Sequence, residues 1–142
     1  WALRHTIDAA DAEVVTVESL HSIAPEHWGE LRFALHPSAA VMVLQWNTPQ
    51  IWQALTAGQV PPAPEKRAMN WLVHRQPDLA GAWRSVSELE LAALHCLAGG
   101  GSFSDICEAV AVVAPAESES AMKCAEILRL WVEQGLISIR HQ

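Results

Sequence analysis

The chain has 142 residues, of which 51% are hydrophobic and 18% are charged. This composition is sufficient for a buried core and excludes an intrinsically disordered chain. Nine lysines and arginines stand against 16 aspartates and glutamates, a net charge of −7, which disfavours partners recognised through phosphate neutralisation. No apolar run approaches the roughly 20 residues of a membrane span. Three cysteines without a CxxC spacing favour buried thiols in a reducing compartment, so we expect a cytoplasmic protein.

Residues 1–60 predict the end of a helix followed by a small strand-and-helix subdomain. Residues 1–13 are typical of the tail of a helix that begins before this sequence, and 17–31 of a connector with one short helix. Strand-like spacing follows over 32–46, interrupted by His36-Pro37-Ser38. Because proline cannot donate to a strand ladder, this segment predicts a bent or bulged pair of strands.

The stretch "NTPQIWQALTAGQ" (47–59) predicts a helix with Thr48 as its N-cap. The proline-rich segment 61–67 predicts an extended linker and the only internal boundary. Three tryptophans occupy positions at which core anchors are expected: Trp46, Trp52 and Trp131.

Residues 68–142 predict a β-hairpin followed by a helix-turn-helix unit. The hairpin strands are "AMNWLVHR" and "GAWRSVS", separated by turn residues at 76–80. Ser87 and Ser102 each precede an acidic residue at the third helical position, which is the capping-box pattern. The remaining elements are predicted as helices over 88–98, 103–112 and about 118–134, and a strand over 136–139. The expected class is therefore α+β, with a small strand-and-helix layer before a winged-helix-like unit.

The glycines of "LAGGGSFSDICEAV" (97–110) raise the alternative of a phosphate-binding loop. Such a loop needs a strand before it and a lysine directly after the last glycine. A helix is predicted before Gly99, and no lysine occurs until Lys123. We therefore interpret the glycines as the turn between two helices.

No pattern of nucleophile or metal ligands occurs in the sequence. The seven histidines and three cysteines have no ligand spacing, and there is no GxSxG elbow. The cysteines, one on each C-terminal helix, are interpreted as buried small hydrophobes. We predict no catalytic residue, no metal site, no cofactor and no enzymatic activity.

A helix-turn-helix suggests DNA binding, but the local charge argues against it. Residues 87–142 contain eight acidic and three basic residues, a balance of 3 − 8 = −5. The third helix, which would enter the major groove, begins with Glu117-Ser118-Glu119, and phosphates repel carboxylates. DNA binding by a transcriptional regulator remains the alternative hypothesis.

Basic residues instead cluster on or beside the hairpin, among them Lys66 and Arg67. An extended peptide can add as a strand to a hairpin edge and lie against the third helix, with basic side chains selecting acidic peptide residues. The predicted peptide- or partner-binding residues are Trp71, His74, Arg75, Trp83, Arg84 and Arg129. For Trp71 and Trp83, a position in the core is the alternative.

Four stretches carry a family resemblance: "LHPSAAVMVLQWNTPQIWQAL", "WLVHR", "AWRSVSELELAALHCLAGGGSFSDICEAV" and "ILRLWVEQGLI". They resemble the C-terminal portion of the family of unknown function labelled "putative DNA-binding domain". Members often accompany multinuclear non-heme iron enzymes that oxidise cysteines of ribosomally made peptides, as methanobactin-type accessory subunits do. The resemblance implies a partner that recruits the precursor peptide or the iron enzyme, and a missing helical N-terminal domain. The order of a hairpin and three helices is also similar to the PqqD-type peptide-recognition fold.

Overall fold

The computed structural model describes Arg4, Ala9, residues 12–114 and residues 116–139, without the side chains of Glu117 and Ser118. The predicted helix over 1–13 lies mostly outside these residues. The α+β class is confirmed. In chain order the elements are α1 (Val17–His21), a 3-10 helix (Pro25–Glu30), β1 (Phe33–Leu35), β2 (Ala40–Trp46), α2 (Thr48–Thr56), β3 (Lys66–Arg75), β4 (Gly81–Ser85), α3 (Glu88–Ala98), α4 (Phe103–Val113), α5 (Glu117–Glu133) and β5 (Ile137–Ile139).

The predicted hairpin is present as β3 and β4, and β2 extends it to a three-stranded antiparallel sheet in the order β2-β3-β4. Leu72 on β3 pairs with Val41 on one side and with Arg84 on the other. Because successive side chains alternate between faces, Leu72 lies in the main core and Trp71 lies on the opposite face. We call the face that carries Trp71 the outer face.

Both sheets join segments from either side of the predicted linker 61–67. β2 pairs with β3, and β1 pairs with β5 in a separate two-stranded antiparallel sheet. β3 already begins at Lys66, so the linker prediction is wrong for its last two residues. Core residues that precede the linker, such as Phe33, belong to the same hydrophobic cluster as those of the C-terminal helices.

Asn47, not Thr48, occupies the N-cap position of α2, and its side chain makes no capping hydrogen bond. Its amide instead donates to the Ala63 carbonyl at 3.0 Å and accepts from the Glu65 N–H at 2.8 Å. The buried amide is therefore used to fasten the end of the proline-rich segment beside the start of α2.

The C-terminal helices match their predicted positions because their local signals are strong. Ser102 and Asp105 form a reciprocal capping box at the start of α4. Trp131 on α5 is 1% exposed, which confirms its prediction as a core anchor. Trp46 and Trp52 are 48% and 45% exposed, so their prediction as core anchors is wrong. Within the described ranges, no helix combines the length and apolar character needed to cross a bilayer.

Gly99 and Gly100, in the turn between α3 and α4, differ in backbone conformation. Gly100 has a φ of +83°, the left-handed region that glycine adopts without strain. Gly99 has an ordinary φ of −76°, and a Cβ there would meet its neighbours at 3.5 and 3.6 Å, normal contact distances. Only the second glycine therefore needs to be a glycine for its conformation.

We expect Gly100→Ala to lower the free energy of unfolding by about 1–2 kcal/mol, because an L side chain is strained at positive φ. Gly99→Ala is the matched control, and we expect it to be neutral or to stabilise the chain by up to about 1 kcal/mol. Chemical denaturation of both variants measures the difference. Equal effects would contradict the assignment of the turn conformation to Gly100.

Candidate functional site

The outer face of the three-stranded sheet is only partly covered. α2 packs against it through Gln50, whose Nε2 lies 3.8 Å from the Met69 Sδ, and through Trp52. The ring of Trp52 stands edge-on to that of Trp83 with centroids 5.0 Å apart, and Trp83 lies 4.8 Å from Trp71. We call Trp52, Trp71 and Trp83 the tryptophan cluster. Its exposure increases from the buried Trp71 to the exposed Trp52.

The contact between α2 and the sheet leaves polar groups unsatisfied. Among the described residues, the Trp71 Nε1 donor and the Gln50 Oε1 acceptor are both buried without a hydrogen-bond partner. Each such group costs about 1–3 kcal/mol relative to its hydrated state. A face with exposed aromatic rings and unsatisfied polar groups beneath them is poorly optimised for stability, which is typical of a surface that binds something.

β4 forms an open edge beside the tryptophan cluster, since no strand in the described part of the chain pairs with its other side. The Val86 N–H donates to the Asn70 carbonyl at 2.9 Å. Because inward and outward groups alternate along an antiparallel strand, the backbone groups of Gly81, Trp83 and Ser85 point away from β3. The Ser85 carbonyl already accepts the Arg84 Nη1 at 3.3 Å, so an added strand can bond to the backbone groups of Gly81 and Trp83 and to the Ser85 N–H.

The opposite edge, on β2, is less suited to pairing. Its register with β3 is interrupted between Leu44 and Trp46. The extra residue lies on β3, and a bulge increases the local twist of the strand pair, which makes this end of the β2 edge less regular. β4 has no such irregularity against β3.

Arg84 is engaged inside the molecule and does not form part of a free basic edge. Its Nη1 and Nη2 donate to the Glu90 carboxylate at 2.7 and 2.6 Å, and its Nε and Nη2 both donate to the Gln134 Oε1 at 3.1 Å. The Trp131 Nε1 donates to the same carboxylate at 2.9 Å. The pair is mostly removed from solvent, since the Arg84 and Glu90 side chains are 24% and 6% exposed. The charge of Arg84 is thus already paired with Glu90, and its selection of acidic peptide residues stays a prediction that this pairing does not favour.

His74 and Arg75 are also placed differently from a binding role. His74 is buried on the core side of the sheet, where desolvation lowers the pKa of its imidazole and leaves it neutral at pH 7. Arg75 Nη1 donates to the carbonyl of Ala9 at 2.9 Å. Neither side chain presents a free positive charge to the tryptophan cluster.

The His36-Pro37-Ser38 segment is a structural turn that connects β1 and β2. The Ser38 N–H donates to His36 Nδ1 at 3.1 Å, so this nitrogen is an acceptor. The Ser38 hydroxyl, 2.8 Å away, must then donate to the same nitrogen while it accepts the Arg75 N–H at 3.1 Å. Ser38 is 1% exposed, and its hydroxyl links the turn to the backbone of β3.

Arg129 lies apart from the five predicted hairpin residues. It lines a groove of about 770 Å³ between α1, the 3-10 helix, α4 and α5, and it pairs with Glu133 at 2.8 Å. The groove is mainly apolar, with Leu20, Trp28 and Phe103 among its lining residues. The structure thus brings Trp71 and Trp83 together on the outer face. His74 and Arg84 lie on the core face, Arg75 is hydrogen-bonded to Ala9, and Arg129 lines the groove.

Sequence reasoning missed Glu90 and Gln134 as partners of Arg84, and Trp52 as a member of the tryptophan cluster. Glu90 was assigned to a capping box, and the Ser87 Oγ does accept its N–H at 3.2 Å. Its carboxylate, however, binds Arg84 and Trp131. The available signal was the helical spacing of Glu90 to Ala93 and Leu94, which lie three and four residues later and share its buried face.

No cluster of three or more histidine, cysteine, aspartate or glutamate side chains suited to a metal ion occurs in the part of the chain that the structure describes. In comparisons with known proteins, no protein-family model and no curated protein matches this chain.

Proposed function

We propose that this chain is a non-catalytic recognition domain that binds an extended peptide as an additional strand on β4. The observation that carries this proposal is the open β4 edge directly beside the partly exposed tryptophan cluster. Backbone hydrogen bonds to an edge supply affinity without regard to sequence, and pockets beside the edge supply specificity. In this chain the open edge and the ring of Trp83 both belong to the short strand β4.

The surroundings of β4 favour an apolar or aromatic peptide. Alternate residues of an added strand point to the outer face, where they meet Trp83 and Trp52. Tryptophan rings contribute large contact areas, and their preferred edge-to-face geometry suits a further ring or an aliphatic chain. Acidic selection is no longer part of the hypothesis, because Arg84 is neutralised by Glu90.

The family resemblance supplies the identity of the peptide within this proposal. It would be the ribosomally made precursor of a cytoplasmic modification system, presented to a multinuclear iron enzyme. The hairpin followed by three helices would then serve as a winged-helix-like, PqqD-like recognition unit. The iron and the oxidation chemistry would belong to the partner enzyme.

DNA binding is the second candidate, and the charges on α5 weigh against it. Lys123 pairs with Glu126 at 3.2 Å and Arg129 pairs with Glu133 at 2.8 Å. A phosphate must displace a carboxylate to reach either cation. Binding through these residues would therefore be weak and would decrease steeply as salt is added.

A proline at Ser85 tests the strand-addition model. The Ser85 N–H points away from β3, so a proline removes a donor from the open edge and leaves the ladder intact. A displayed library of random peptides, each long enough to pair along the whole of β4, is first selected for binding to the chain. The selected peptides are then titrated against the chain and its variants by calorimetry. We expect Ser85→Pro to weaken binding at least about tenfold and Trp52→Ala to weaken it about fivefold.

Trp46→Ala is the matched control, because Trp46 is as exposed as Trp52 but belongs to the opposite edge strand. We expect its affinity for the peptide to equal that of the unmodified chain. Peptide binding that is insensitive to Ser85→Pro and Trp52→Ala would exclude the β4 edge. Duplex DNA binding lost on substitution of Lys123 and Arg129 would favour the second candidate.

A further inference from the structure

Two of the three cysteines meet between α4 and α5. The Sγ of Cys107 lies 2.7 Å from the Sγ of Cys124, and both thiols are free. A disulfide bond is about 2.05 Å long, so the two sulfurs need to approach by about 0.65 Å to bond. The two residues come from different helices, separated by 17 positions in sequence. Sequence reasoning treated them as independent buried hydrophobes.

The two thiols differ in their access to solvent. Cys107 is half-buried and lines the groove between α1 and the C-terminal helices. Cys124 is 2% exposed and is therefore less accessible to solvent than Cys107. An accessible thiol with a second thiol in contact is the arrangement found in redox-responsive cysteine pairs.

We propose that Cys107 and Cys124 form a reversible redox pair, which a low-molecular-weight disulfide oxidises to an intramolecular disulfide joining α4 to α5. This inference does not depend on the proposed peptide binding. It assigns the pair as a modification site, with the glutathione class of disulfide as the oxidant.

The reaction proceeds through two thiol–disulfide exchanges. The Cys107 thiol gives its proton to solvent, and the resulting thiolate attacks one sulfur of the small disulfide and breaks its S–S bond. The leaving thiolate takes up a proton and becomes the first free thiol. The Cys124 thiol then loses its proton to solvent, attacks the Cys107 sulfur of the mixed disulfide and releases the second thiol. Two electrons pass from the protein thiols to the small disulfide, which is converted to two thiols.

The environment of the pair fixes the order of these steps. Burial, together with the hydrogen bond to Cys107, raises the pKa of the Cys124 thiol. A protonated thiol is a poor nucleophile. Cys107, which the small disulfide reaches through the groove, therefore reacts first, and Cys124 acts as the resolving thiol.

Mass spectrometry of the chain after incubation with oxidised glutathione tests the pair. We expect a loss of about 2 Da without a stable adduct, since two hydrogens leave when an intramolecular disulfide forms. Thermal unfolding is expected about 5–10 °C higher in the oxidised chain, because the bond closes a loop of the unfolded chain. Dithiothreitol is expected to reverse both changes.

Single substitutions show which cysteine reacts first with glutathione and which one forms the disulfide in the second step. Cys124→Ala is expected to hold one glutathione at Cys107, because the resolving thiol is gone, and Cys107→Ala is expected to form neither a disulfide nor an adduct at Cys124. Cys96→Ala is the matched control on α3, and it is expected to lose about 2 Da like the unmodified chain.

Chymotryptic cleavage after Phe103 separates Cys96 from Cys107, so peptide mapping of the unmodified chain gives the pairing even where a variant does not fold. A stable glutathione adduct on the unmodified chain, a disulfide involving Cys96, or linked dimers would each overturn the proposal.

Discussion

Glu90→Ala is expected to lower the free energy of unfolding by about 3–5 kcal/mol, the cost of breaking a buried ion pair by removal of one partner. The carboxylate binds two nitrogens of Arg84 and the indole N–H of Trp131. Alanine would leave the guanidinium with Gln134 and the Ser85 carbonyl as its remaining acceptors. It would also leave the Trp131 donor buried without an acceptor. Denaturant titration followed by circular dichroism measures the loss.

Glu88→Ala is the matched control for this substitution. Glu88 lies in the same first turn of α3, so both variants lose the same favourable interaction with the helix N-terminus. Glu88 is exposed, and we expect a cost below about 1 kcal/mol. If the two variants are equally stable, Glu90 does not hold the network that its distances describe.

Trp131→Ala is expected to cost about 3–5 kcal/mol, because it removes the largest fully buried side chain and leaves a cavity. A total stability of about 5–15 kcal/mol is usual for a domain, so this change approaches unfolding. Trp131→Phe keeps most of the ring and loses the hydrogen bond to Glu90, and we expect it to cost about 1–2 kcal/mol. This milder variant remains measurable where the alanine variant does not fold.

Trp46→Ala is the comparison for Trp131→Ala, since both positions were predicted as core anchors. Trp46 is 48% exposed, and we expect its removal to cost less than about 1 kcal/mol. The double variant of Glu90 and Trp131 is expected to lose less than the sum of the single losses, because both substitutions remove the same hydrogen bond. Strict additivity would show that the indole and the carboxylate do not interact.

The sequence predicted the elements whose signals are local. Ser102 and Asp105 lie three residues apart, and the capping box that they form depends on almost nothing else. The turn of the β3–β4 hairpin is similarly short, with the Gln76 N–H bonded to the Ala80 carbonyl at 2.8 Å. Such elements are specified by neighbouring residues, so a pattern in the sequence is sufficient to find them.

The arrangement of the strands could not be predicted in the same way. Val41 was recognised as a strand residue, but nothing near it in sequence indicates that Leu72 is its partner. The pairing of β1 with β5 joins segments about a hundred residues apart, as the match of Phe33 with Ile139 shows. Partners at this separation are selected by the packing of the whole core, which local spacing does not encode.

Two of the three members of the tryptophan cluster followed from the sequence. Trp71 and Trp83 were predicted as binding residues because they lie on a hairpin, and the structure places them in contact. The clustering of basic residues was misleading, because charge in sequence does not reveal whether a charge is already paired. Arg84 illustrates this point, since its partner Glu90 had been assigned a different role by its spacing from Ser87.

The pairing of β1 with β5 has a consequence for synthesis on the ribosome. β1 is made early, but the Val15 and His36 amides bond to the carbonyls of Ile137 and Leu136, which are made roughly a hundred residues later. At about 5–20 residues per second, roughly 5–20 s pass between the synthesis of β1 and the synthesis of β5. During this interval the apolar Phe33 has no strand opposite it. The pairing of β1 is thus completed only after β5 has been translated, and chaperones that shield apolar segments would act on the segment around Phe33 during this interval.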